Sequence, residues 1–165
     1  MPANWNAKRV RYAHGYAGTG AVLSFTNPSI RRHLISQGYA WAASTYTKNY
    51  YDVRVGVEDT NALALAFNKI ADANGRPLAT PTKTYIIGHS MGGHIAAAAV
   101  EKETLATANH KIAYAGAVPM CGVVGDTTLF DYFAGAQVTA QALAGVPKYP
   151  FINWADIQTQ VIGTL

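Results

Sequence analysis

The segment Gly88-His89-Ser90-Met91-Gly92, followed by Gly93, constrains this chain more than any other. Before it stands an apolar run, Thr84-Tyr85-Ile86-Ile87, that reads as a strand. After it, apolar residues through Ile95, Ala96, Ala99, Val100 and Leu105 read as a helix. A G-x-S-x-G between strand and helix forces a sharp turn that holds the serine in strained backbone geometry, with its hydroxyl clear of the sheet. Gly88 and Gly92 leave room where strand and helix pass closest. The backbone N–H groups that open the helix, Met91 first, face the place where negative charge develops on an attacked carbonyl. Ser90 is thus a candidate nucleophile and the Met91 amide a candidate oxyanion donor; the bland alternative is a merely structural glycine turn.

The rest of the chain alternates strand and helix around this turn. Arg9 to Ala13 reads as a strand running into the glycine-rich His14-Gly15-Tyr16-Ala17-Gly18-Thr19-Gly20. A helix is expected from Pro28 to Gln37, with Asn27 as N-cap, Pro28 at the first position and Gly38 at the end. Tyr39 to Ser44 has the apolar content of a buried strand, and the loop from Thr45 to Asp52 is polar and tyrosine-rich. Val55, Leu63, Leu65, Ala66, Phe67 and Ile70 support a helix from Arg54 to Asn74, with Glu58 and Asp59 in its first turn and Asn74-Gly75-Arg76-Pro77 as its stop. A further strand is expected from Lys111 to Val118, stopped by Pro119, then helices at Asp126 to Ala134 and Thr139 to Leu143. This order predicts an α/β fold with a mostly parallel central sheet flanked by helices in three layers.

Composition excludes other classes. The 165 residues are 50% hydrophobic and only 13% charged, which rules out disorder by charge excess and calls for a sizeable core. The one cysteine, Cys121, makes neither an internal disulfide nor a thiolate cage, and no metal-ligand spacing is present. The most apolar stretch, Ala113 to Gly125, is shorter than the roughly 20 residues of a membrane span. Met1 to Arg9 is polar and carries no apolar signal region. The net charge of +4 comes from small groups, Lys8/Arg9/Arg11 and Arg31/Arg32, read as solvated surface charge rather than a nucleic-acid site. Gly15-x-x-Gly18-x-Gly20 is the reverse of the dinucleotide fingerprint, and no phosphate-binding loop motif occurs, so no cofactor is expected.

On Gly88-His89-Ser90-Met91-Gly92-Gly93 and His14-Gly15-Tyr16, both placed directly after strands, the chain resembles esterases and lipases of the α/β-hydrolase superfamily from about Lys8 to Pro119. The resemblance implies hydrolysis of a small-molecule ester without a cofactor. Ser90 would be the nucleophile, and the Tyr16 amide would join Met91 in the oxyanion hole. His14, Gly15, Gly88, His89, Gly92 and Gly93 would be supporting positions. Superfamily order places the acid and then the histidine after the serine. His94, one turn into the helix, points along it, and His110 lies in the loop before the next strand at the far end of the sheet. His14 and His89 are read as bracing loops. Asp126 is the best placed acid, although the plainer reading, and the favoured one, is an N-cap or turn aspartate before Thr127 and Thr128.

The expectation is therefore a chain that ends before its catalytic histidine and acid, with a sheet incomplete at both ends and little turnover on its own. Residues 1–120 would form the nucleophile-bearing part, and residues 121–165, with Phe130, Tyr132, Phe133, Tyr149, Phe151 and Trp154, a lid-like or helical insertion. Relatives close in motif are often secreted bacterial enzymes. An acyltransferase or peptidase on the same scaffold, or a non-catalytic α/β binding module, fits the same motif, and the oligomeric state is left open.

Overall fold

The structure is a computed structural model that describes residues 2–146 and 154–165. It divides into two compact units, Met1–Val124 and Gly125–Leu165. The first holds four strands, β1 (Lys8–Ala13), β2 (Ala40–Ala43), β3 (Lys83–His89) and β4 (Gly116–Met120), in one sheet of order β2-β1-β3-β4. All three pairings are parallel, with Arg9 opposite Ala40, Val10 opposite Tyr85 and Gly88 opposite Pro119. Parallel neighbours require crossovers, and these carry α1 (Arg31–Ser36), α2 (Val53–Ala73), α3 (Met91–Ala98) and α4 (Lys102–Thr107).

Alternation along the strands builds a core on each face of the sheet. Val10, Tyr12 and Ile87 pack with Leu34 of α1 and the flanking Tyr39 and Trp41. Ala13 and Ile86 face the other way, onto Val57 of α2 and Met91, Ile95 and Ala96 at or near the start of α3. Helix, sheet and helix thus make three layers, and the expected α/β class holds.

The helix stops are set by glycine in left-handed backbone. Gly38 (φ 77°) ends α1 with the Tyr39 N–H donating to Leu34 O at 2.8 Å and the Gly38 N–H to Ile35 O at 3.0 Å. Gly75 (φ 69°) repeats the arrangement after α2, through Arg76 N–H to Ala71 O and Gly75 N–H to Asp72 O, both at 2.9 Å. Both are Schellman endings.

Several boundaries differ from expectation. Helix α1 begins at Arg31 with Ile30 as its N-cap, so Asn27 and Pro28 precede it, and Pro28 O instead accepts a turn bond from the Arg31 N–H at 3.0 Å. Helix α2 starts at Val53 and is capped by Asp52, whose carboxylate accepts from the Val55 N–H at 2.9 Å. Glu58 and Asp59 therefore lie past the first turn and work through side-chain bonds: Glu58 accepts from the Asn109 and His110 N–H groups, and Asp59 from the Thr47 N–H. The buried stripe of α2 is Val57, Thr60, Asn61, Ala64, Phe67 and Ala71, while Leu65 and Ile70 are exposed. The single helix expected after Ser90 is two, because Glu101 adopts extended backbone (ψ 145°) between α3 and α4.

Strand β4 starts at Gly116 and runs through Pro119 to Met120. Proline is tolerated there because β4 is an edge strand. In the second unit, the two expected helices are one, α5 (Asp126–Leu143), which passes through Gly135. A 3-10 turn (Trp154–Asp156) and α6 (Gln158–Thr164) follow, with Ala144, Ile157 and Val161 as the unit's core. Pro147, Tyr149, Pro150 and Phe151 lie outside the described residues. Among the described residues, no helix is long and apolar enough to cross a membrane.

The largest departure concerns charge. Arg9 and Arg11, expected in solvent, are buried at 8% and 0% exposure, since strand alternation points them with Ala13 toward α2. The Arg11 guanidinium carbon lies 4.2 Å from the Phe67 ring centroid, a cation–π stack, and none of its nitrogens has a hydrogen-bond partner. Burial, and then the neighbouring Arg9 charge, pulls its pKa down to about 9. An unpaired buried cation is costly, and an apolar side chain of similar volume removes that cost. Arg11→Met is expected to stabilise the fold by about 1–4 kcal/mol, read by urea denaturation; a lower midpoint would contradict this.

Asp52 provides the opposite case. The hydrogen bond from Lys48, and then its cap bond to Val55, lower its pKa below the usual carboxylate value, so its contribution is present above about pH 4 and lost as the pH falls through the lowered value. Asp52→Asn should cost about 1 kcal/mol or less at pH 7, because asparagine also caps, and denaturation at pH 7 and pH 3 should show the difference shrinking in acid.

Candidate active site

Strand β3 delivers the chain to the top of the sheet, and Ser90 turns it into α3 with φ 59° and ψ −124°. A non-glycine residue in that region is strained, and it persists only where its surroundings impose it. Here they do so by close backbone contact. A Cβ on Gly92 would fall 1.9 Å from Ala13 O, and one on Gly88 would fall 1.8 Å from Gly92 O. One on Gly93 would meet Met120 O at 2.6 Å and the Gly122 Cα at 2.8 Å. The Ser90 N–H donates to Met120 O at 3.0 Å, which ties the turn to the end of β4. Gly93 and His94 N–H groups both donate to Ser90 O, leaving the Met91 and Gly92 amides as first-turn donors with no carbonyl within the helix to accept them.

The His14-Gly15-Tyr16 segment leaves β1 beside this turn. A Cβ on Gly15 would sit 3.4 Å from the Ser90 Cβ, 3.9 Å from its Oγ and 3.3 Å from His89 O, so the two loops abut. Ser90, His89, Gly15 and Tyr16 line one cleft of about 370 Å³ together with Ser24 and Phe25, and His14 also borders it. Gly88, Met91, Gly92 and Gly93 do not line it; Met91 is buried, and at each of the three glycines a Cβ would fall within 3 Å of backbone.

The histidines are accounted for individually. His14 is buried, its ring stacked on Tyr46 at 4.1 Å between centroids and its Nδ1 2.7 Å from Gly15 O. Burial lowers its pKa, against the pull of the Gly15 and Thr45 carbonyls. His94 Nδ1 lies 3.0 Å from the Tyr51 hydroxyl, and His110 Nδ1 lies 3.0 Å from Glu58 Oε2. His33 is exposed on α1, and His89 is the last residue of β3. Asp126 is the first residue of α5, in the second unit, with φ 45°. No group of three or more His, Cys, Asp or Glu that could hold a metal ion occurs among the described residues.

Sequence reasoning passed over the Thr45–Asp52 loop, which turns out to border the cleft loop. The Tyr46 hydroxyl donates to His14 O at 3.0 Å, the Tyr50 N–H to Gly18 O at 2.9 Å, and the Asn49 side chain reaches Gly20 O and Val22 O. The signal there is three tyrosines and an asparagine in a loop between strand and helix, a pattern with no fixed spacing.

No family model and no curated protein matches the chain. Two solved structures do, both of esterase B from Lactobacillus rhamnosis. The first, from HN001, has 18% identity and a TM-score of 0.49 over 98% of this chain and 51% of that one. The second, a complex with a tributyrin phosphonate inhibitor, has 19% identity and a TM-score of 0.43 over 70% of this chain and 38% of that one. The chain thus spans about half the length of these structures or less.

The glycine contacts lead to a graded expectation. Gly92→Ala forces the helix start away from β1 and should destabilise the first unit by about 3 kcal/mol or more, whereas Gly20→Ala, with nothing within 4 Å, should change little. Thermal melts of the two variants compare them; equal melting temperatures would refute the close approach.

Proposed function

We propose that the protein is a serine hydrolase acting on carboxylic esters, with Ser90 as nucleophile and the Met91 and Tyr16 amides as oxyanion donors. The observation that supports this best is the strained Ser90 at the strand-to-helix turn, with Gly15 packed against its side chain so that serine and cleft loop share one opening. A structural glycine turn needs no strained serine facing a cleft.

In this reading the Ser90 Oγ attacks the ester carbonyl and gives up its proton to a base. The carbonyl oxygen becomes an oxyanion in front of the first amides of α3, where helix geometry leaves donors unpaired and the helix dipole favours negative charge. Collapse of this intermediate expels the alcohol, protonated by the same base, and leaves an acyl-serine that water then cleaves.

The base is assigned to none of the five histidines of the chain. His14 is committed to Tyr46 and Gly15, His94 to Tyr51, and His110 to Glu58, while His33 is exposed on α1 and His89 lines the cleft as the residue next to Ser90. Asp126, as a turn aspartate at the head of α5, is not required either. The reading assigns neither the base nor the acid to a residue of these 165.

A chain with an activatable but unassisted serine should respond to an external base. The 165-residue chain is expected to cleave an activated ester slowly, to accelerate with added imidazole beyond the imidazole background, and to lose that acceleration in Ser90→Ala. An alkyl phosphonate should label the chain at position 90, read by peptide mass spectrometry, and leave Ser90→Ala unmodified. Equal labelling or equal imidazole-dependent turnover of both proteins would refute Ser90 as the nucleophile; no labelling of the native chain would favour a non-catalytic binding module.

A further inference from the structure

We propose that Asn49 is a positioning residue of the Ser90 cleft, holding the loop between β1 and α1 so that its Tyr16 end and its Phe25 end face the serine together. The inference rests on the esterase reading of that cleft.

That loop cannot hold itself. No residue from Tyr16 to Asn27 is buried, and the segment contains no strand or helix, so neither a core of its own nor a backbone ladder fixes its path. Both of its ends nevertheless line the cleft, Tyr16 and Ala17 on one side, Ser24, Phe25 and Thr26 on the other. Something outside the loop must fix the turn between them.

Asn49 does so from the loop that follows β2. Its side chain is buried, at 6% exposure, and its Nδ2 donates to Gly20 O at 2.5 Å and to Val22 O at 3.1 Å. Both partners are carbonyls, so only the amide nitrogen can serve them. The adjacent Tyr50 N–H donates to Gly18 O at 2.9 Å, so three bonds converge on the turn from Gly18 to Val22.

The support is itself anchored. Tyr46 stacks on His14 and donates to its carbonyl, and the Thr47 N–H donates to Asp59 on α2 at 2.6 Å. Asp52 pairs with Lys48 and caps α2. Tyr46 and Tyr50 sit at φ 57° and 76°, left-handed backbone for non-glycine residues, which persists because these contacts over-determine it. The turn from Gly18 to Val22, which joins the Tyr16 and Phe25 ends, is therefore referred through Asn49 and its loop to α2.

The test compares the protein with Asn49→Ala and Asn49→Asp; the latter keeps the shape and lacks the donor at neutral pH. Three quantities are read: the rate of phosphonate labelling at Ser90, the 31P chemical shift of the adduct, which senses the hydrogen bonds to its oxygen, and the melting temperature. Both variants should label about tenfold or more slowly, a fraction of the loss on removing an oxyanion donor outright. Their adducts should show a displaced 31P resonance while the proteins remain folded at the labelling temperature. Labelling at the native rate, or slower labelling with an unmoved 31P resonance, overturns the role. A rate loss that follows unfolding in Asn49→Ala while the folded Asn49→Asp labels at the native rate overturns it too. Failure of the native protein itself to label overturns the esterase reading, and the role of Asn49 with it.

Discussion

The arrangement of the first unit depends on one close approach of backbone to backbone, where the start of α3 meets the end of β1. Gly92 lies so near Ala13 O that no side chain can stand between them, and Gly88 lies as near Gly92 O. With the helix start held there, Ser90 has no relaxed way to join β3 to α3 and takes its strained conformation. The same approach sets Gly15 against Ser90, because His14 and Gly15 simply continue β1 past the contact. The strain costs of order 1–3 kcal/mol and is sustained by the packing of Met91, Ile95 and Ala96 under the sheet.

How much of this was legible in the sequence depends on the range of the force involved. The strand-to-helix turn at Ser90 and the glycine stops at Gly38 and Gly75 are written in residues a few positions apart, and are readable there. The α/β order was readable too, since parallel strands and crossover helices leave opposite periodicities. What was not readable comes from tertiary contact. Arg11 looks like a surface charge until Phe67, 56 positions later, supplies a face for its guanidinium. Leu65 and Ile70 look like core until α2 turns Ala64 and Phe67 inward. Asp59 looks like a first-turn helix residue until the Thr47 N–H, in a loop with no motif, becomes its partner.

The candidate site divides in the same way. Ser90, Gly15 and Tyr16 are legible as candidates because each sits at a fixed offset from a strand end. The contacts of Asn49 are not legible in the sequence, because its partners are main-chain carbonyls 27 and 29 positions away, and a carbonyl carries no sequence identity.

The strand order has a consequence for how the chain comes together as it is made. Strand β1 lies between β2 and β3 in the sheet, and it cannot pair with β3 until the chain has grown by a further 75 residues, from Lys8 to its partner Lys83. At ribosomal rates that is a wait of about 4–15 s, during which one side of β1 stays unpaired. A purely apolar strand left open for so long would be prone to pair with other chains, and charges within a strand oppose such pairing. The Lys-Arg-Val-Arg pattern that opens β1 keeps charge on the strand throughout that interval, and the finished sheet buries two of those charges, Arg9 and Arg11.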